Sequence, residues 1–230
     1  MIDIVVVTQN DKLPLGLEFI KDEFNLIVEK EGRWEIAANR ALDKTNHDVL
    51  FLDDDIELNK ETFRLLNVFK GKIDLIGFTL YNIFNNEKKL QTTGFKLDIV
   101  DNAPIISETN DPKTPKLLAH VTTSLIYISK KTIDCGIRFP TWPGLHKQDV
   151  AFSIDAWLHG LKVAHIPGDA IHRQEIYGIG PTVWNKENRK ELMQLNRQCL
   201  ADWMQEKNVV EKAQKGIIPL GIMPLIHMLP

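Results

Sequence analysis

The chain has 230 residues, 43% hydrophobic and 26% charged, with a formal net charge of −3. This is a globular composition with length enough for a sizeable core, and so small a net charge offers no basic field for a phosphate backbone, which excludes nucleic acid as the main partner. The two cysteines, Cys135 and Cys199, lie far apart and in no CxxC spacing, so neither a disulfide framework nor a zinc ribbon is expected and a reducing cytoplasm fits best.

The opening "MIDIVVVTQN" turns polar too early for a signal peptide, and no run of about 18 apolar residues follows, so the chain reads as soluble. Its "IDIVVVT" is a continuous β-branched run, the pattern of a strand buried on both faces. A helical segment is expected from Pro14 to Glu23, then a strand in "FNLIVEK". Trp34, Ala37, Ala38, Ala41 and Leu42 recur at helical spacing before the strand "DVLFL". Strand, helix, strand, helix, strand calls for crossover connections, hence a mainly parallel sheet with helices on its faces.

Beyond it, "NKETFRLLNVF" reads as a helix capped by Asn59 and "KIDLIGFTL" as a strand. "YNIFNNEKKLQTTGFKLDIV" reads as a hairpin turning at Asn85 and Asn86. The polar, proline-punctuated residues 101–116 read as a loop, "LLAHVTTSLIYIS" as a strand, "QDVAFSIDAWLHG" as a helix stopped by Gly160, and "KVAHIP" as the strand that closes the sheet. The tail "GIIPLGIMPLIHMLP" is almost wholly apolar but broken by prolines, so it is no single helix. It is expected to pack along the domain surface, with a subunit or peripheral membrane contact through 216–230 as the alternative. One catalytic domain over 1–184 and a C-terminal extension over 185–230 follow.

Ligands of open α/β sheets bind beyond the carboxyl ends of the strands, which puts "QN" after the first strand, "EK" after the second and "DDD" after the third on one rim. In an extended segment Asp53 and Asp55 point to the same side and Asp54 to the other. Two carboxylates so placed repel unless a hard cation lies between them. Mg2+ or Mn2+ fits and keeps positions open for phosphate oxygens. A solvated acidic turn is the plain alternative.

Together "VVVTQN", "AANRAL", "VLFLDDD" and "KQDVAFSIDAWLHGLKVAHIPGDAIHR", in that order, resemble glycosyltransferases of the GT-A fold, and family 2 most, over roughly residues 1–175. The resemblance implies a metal-dependent transferase of a sugar from a nucleoside diphosphate sugar, UDP first, to a hydroxyl of a glycan, lipid or protein-linked acceptor, with inversion. It places Asp53 near ribose and metal, Asp55 on the metal, and His172 on metal or diphosphate. Asp149 takes the place of the catalytic base, while Thr8, Gln9, Glu29 and Asn39 fall where the nucleotide binds. Gln148 stands where the family has an acid, and "EKEG" where it has "DDGS".

The chemistry of such a transfer needs charge stabilisation on the leaving diphosphate and a base for the acceptor hydroxyl. Asp53, Asp55 and His172 with a cation answer the first, and Asp149 the second; Arg173 is placed to reach the phosphates, and Trp142 to stack on a sugar. "YGIGPTVW", 177–184, is read as a lid or as a linker, and His165 as structural. Two other readings stay open: a nucleotide-sugar or glycan binding module without catalysis, and a phosphatase of the haloacid dehalogenase type.

Overall fold

A computed structural model describes residues 1–8, 13–17, 24–30, 33–84, 87–142, 147–173 and 189–225. The expected first helix lies mostly outside them; Leu15, within them, instead bridges Glu57 in parallel. Gln9, Asn85, Asn86 and the 177–184 segment also lie outside the described residues.

The first three strands are β1 (Ile2–Val7), β2 (Asn25–Glu29) and β3 (Asp48–Asp53), with α1 (Trp34–Lys44) crossing between the last two. β1 pairs in parallel with both neighbours, in a register that aligns Val7 with Glu29 and with Asp53. The three strands therefore end on one rim, as their alternation with helices requires. Ala37, Ala38, Ala41 and Leu42 of α1 are buried in a cluster with Val49 and Phe51 of β3.

A two-residue strand, β4 (Ile56–Glu57), and α2 (Lys60–Phe69) follow. Asn59 caps α2, its side chain accepting from the Thr62 N–H at 2.9 Å. β5 (Leu75–Phe84) and β6 (Glu87–Thr92) form the expected hairpin. β7 (Phe95–Val100) pairs with β8 (Ala103–Glu108) through Asp101 and Asn102 at φ 49° and 59°. The expected loop at 101–116 is thus corrected: two Asx residues that tolerate positive φ turn a hairpin there.

β9 (Lys116–Leu117) and β10 (Leu125–Ile128) are the paired parts of the predicted strand at 117–129. Residues between them bond elsewhere, Leu118 N–H to Val163, His120 N–H to Phe95, and the Ser124 carbonyl to Asp53. The short helix α3 (Lys130–Asp134) precedes α4 (Gln148–Leu158), and β11 (Val163–His172) comes next. α5 (Arg189–Glu206), α6 (Val209–Gln214) and β12 (Met223–Pro224) complete the described chain.

The main sheet runs β12-β9-β11-β5-β10-β3-β1-β2, with β4 on β11 and β6 on β5. β11 is parallel to β5, and β10 runs antiparallel between β5 and β3, so the sheet is mixed around a parallel core. β11 does not close the sheet, because β9 and β12 extend it further on that side. Apolar clusters cover both faces, and a third joins α4 to α5, α6 and Ile218.

Candidate functional site

β3 is fully buried from Val49 to Leu52 and reaches the rim at Asp53. Asp53 N–H donates to the Ser124 carbonyl at 3.0 Å, and there the ladder stops. Asp54 and Asp55 form a turn rather than continuing the strand. Asp53 and Asp55 nevertheless come together, so the expected pairing arises from a turn and not from strand alternation. Asp54 is directed elsewhere and accepts from the Thr8 hydroxyl.

The turn leads into β4, whose Ile56 pairs with His172 of β11. Arg173 N–H donates to the Asp55 carbonyl at 2.7 Å, which ties the end of β11 to the turn. His172 Nε2 then lies 2.9 Å from Asp55 Oδ1. One ligand atom from each of Asp53, Asp55 and His172 falls within 4.8 Å of the others. The set of two carboxylates and one imidazole suits Mn2+, and also Mg2+ through its oxygens.

Burial raises the Asp53 carboxyl to about 6, and the neighbouring Asp55 charge adds to this. His172 and hydrogen bonds from Ser124 and Trp34 pull in the other direction. A divalent ion between the two carboxylates would compensate this charge. On the far side of His172, Nδ1 lies 3.0 Å from Gln91 Oε1. As an acceptor only, that oxygen fixes the proton on Nδ1 and leaves Nε2 as the ligating nitrogen. Gln91 was not singled out from sequence, since nothing local distinguishes it within a hairpin strand.

Asp149 sits in the first turn of α4. One oxygen accepts from the Val150 N–H at 2.9 Å; the other lies 3.2 Å from Nε2 of the buried His120. Desolvation raises this carboxyl, but the nearby His120, the Val150 N–H and Lys147 outweigh it and leave the group below its ordinary value. Asp149 is thus ionised at neutral pH. His120 and Ser124 are four residues apart, at most about 14 Å when fully extended; the first touches Asp149 and the second holds Asp53. An aromatic path, Trp34 to Phe139 at 5.1 Å and Phe139 stacked on Phe152 at 4.1 Å, also joins the rim to α4.

The remaining predicted residues are placed as follows. Glu29 is buried on the rim and engaged by Arg40 and Lys44 of α1. Asn39 bonds both backbone groups of Phe139, at 2.8 and 2.9 Å, and so acts as a tether. Arg173 lies beside the acidic turn but is held by Glu57 at 2.6 Å. Trp142 packs half-buried on the cluster around α4, and its carbonyl accepts from Arg33. His165 is buried in the sheet.

No family model and no curated protein matches this chain. Among solved structures, GalNAc-T7 with UDP, GalNAc and Mn2+ is 14% identical over 75% of this chain and 44% of its own, with a TM-score of 0.52. S. aureus TarS 1-349 in complex with UDP-GlcNAc is 17% identical over 84% of this chain and 64% of its own, at 0.49. A197 from STIV is 13% identical over 73% and 82%, at 0.48. The chain thus spans less than two thirds of the GalNAc-T7 and TarS chains. The fold is GT-A-like: a single-domain, mixed, mostly parallel sheet flanked by helices.

Proposed function

We propose that the protein is a metal-dependent glycosyltransferase, moving a sugar from a nucleoside diphosphate sugar, UDP first, to a hydroxyl of a glycan, lipid or protein-linked acceptor, with inversion. The observation that carries the reading is the convergence of Asp53, Asp55 and His172 at the carboxyl end of β3. The likeness in fold to GalNAc-T7, whose structure holds UDP, GalNAc and Mn2+, supports it.

In this reading Asp53, Asp55 and His172 hold Mn2+ or Mg2+, which neutralises charge on the departing diphosphate. Asp149, whose carboxyl lies below its ordinary value and is ionised at neutral pH, accepts the proton of the acceptor hydroxyl. Inversion follows when acceptor and leaving group lie on opposite faces of the anomeric carbon. Thr8 at the end of β1 serves the nucleotide through the Asp54 turn.

Calorimetric titration of UDP and GDP with and without Mn2+ is the test. The wild type should bind one of them in a metal-dependent way, and Asp55→Ala should lose that dependence, at least about tenfold in affinity. Unchanged affinity in Asp55→Ala would remove the clamp.

A further inference from the structure

The segment His120–Ser124 sits between the two carboxylate centres and supplies a group to each. At one end Ser124 accepts from Asp53 N–H; at the other the imidazole of His120 faces Asp149. His120 is 2% exposed and its position is over-determined. Its backbone exchanges hydrogen bonds with Phe95 at 2.9 and 3.2 Å, and its ring stands edge-on to the Phe95 ring at 4.4 Å. Both ring nitrogens are buried and neither has a well-aligned hydrogen-bond partner among the described residues; Asp149 Oδ2, 3.2 Å from Nε2, is the acceptor the ring faces.

A base that takes a proton during transfer must be held in one rotamer with an oxygen facing the acceptor, and a misplacement of about 1 Å can cost about 100-fold in rate. Asp149 Oδ1 is held from its own helix by the Val150 N–H. That bond alone leaves the carboxylate free to turn about its last torsion. A second donor from another element would fix the plane, and His120 Nε2, 3.2 Å from Oδ2, is the group in reach.

Resting on the transferase reading above, we propose that His120 is the positioning residue of the base: its Nε2–H holds Asp149 Oδ2 so that the carboxylate meets the acceptor hydroxyl. In the step it serves, the acceptor oxygen forms a bond to the anomeric carbon. The hydroxyl proton passes to Asp149, and the bond from that carbon to the diphosphate breaks with its electron pair leaving on the diphosphate. His120 itself gives up no proton.

The test uses the full chain and its His120→Phe and His120→Gln variants. Phe keeps the ring against Phe95 and removes both nitrogens; Gln restores an N–H that can reach a carboxylate. Two quantities are read: affinity for UDP with Mn2+, and release of UDP from UDP-GlcNAc, UDP-GalNAc or UDP-glucose in the presence of screened acceptors. His120→Phe should keep the first within about twofold and lose about 10- to 100-fold in kcat, with His120→Gln recovering most of it. The double variant His120→Phe/Asp149→Asn should be no slower than Asp149→Asn alone, because His120 acts only through that carboxylate.

Full activity in His120→Phe would overturn the role of His120 and leave the transferase standing. Parallel loss of UDP affinity in both variants would reduce His120 to a structural residue. A wild type that binds UDP with Mn2+ but releases none from any donor would remove the transferase reading, and the positioning role with it.

Discussion

At Asp53 two demands meet in one carboxyl group. It is desolvated beside Asp55, which raises it to about 6, yet a cation held there needs it ionised. The sign follows: below about 6 the proton stays on, so an ion must displace it. Mn2+ affinity measured by titration calorimetry should therefore be level above pH 7 and fall by up to about tenfold per pH unit below 6; a flat profile between pH 7 and 5 would show that Asp53 is no ligand. Gln91 works on the other ligand through His172 Nδ1. Gln91→Leu should weaken Mn2+ binding about 10- to 100-fold while leaving the melting temperature within a few degrees, and equal affinity would dismiss its orienting role.

Whole elements show where sequence reading succeeds. β1, α1 and β3 were legible because β-branched runs and the spacing of Ala37, Ala38, Ala41 and Leu42 are local patterns that burial satisfies directly. The β7–β8 hairpin was missed because its cue is the Asp101–Asn102 pair, and prolines nearby made the segment look like a loop. Contacts across long separations have no local cue at all: Gln91 on His172, His120 on Asp149, Asn39 on Phe139. Asn39 illustrates the difference, for its place in "AANRAL" pointed to nucleotide while its side chain satisfies both backbone groups of a buried residue. Asn39→Ala should cost about 2 kcal/mol in urea unfolding, since each buried group left unsatisfied costs about 1–3 kcal/mol, and should leave UDP affinity unchanged. A loss of UDP affinity without loss of stability would return Asn39 to the nucleotide site.

Across the whole molecule, acid stability turns on a group outside the site. His165 lies where β11 meets β5 and β9, 1% exposed, with Nε2 3.0 Å from the Thr79 hydroxyl. Thr79 itself donates to the Pro112 carbonyl at 3.2 Å, so it accepts from Nε2–H. Nδ1 is buried with no hydrogen-bond partner among the described residues, and Lys116 lies beside the ring in the strand register. Protonation would bury an unpaired N–H next to a cation. Desolvation, with the Lys116 charge adding and Asp111 opposing, accordingly pushes the imidazole down to about 3. In the unfolded chain the same ring takes up its proton near pH 6.5. The folded value is the lower one, so this stabilisation is complete above about pH 6.5 and is lost as pH falls toward 3, at up to about 1.4 kcal/mol per unit. The loss should reach about 2 kcal/mol by pH 5. His165→Asn removes that titration while leaving Asp53 and the other carboxylates as they are, so their contributions cancel in the difference between the two proteins. Urea unfolding at pH 7 and pH 5 should show the wild type's advantage over His165→Asn shrinking by about 2 kcal/mol at the lower pH. An equal advantage at both would mean that the ring is charged inside the sheet, with the Asp111 charge outweighing desolvation and Lys116.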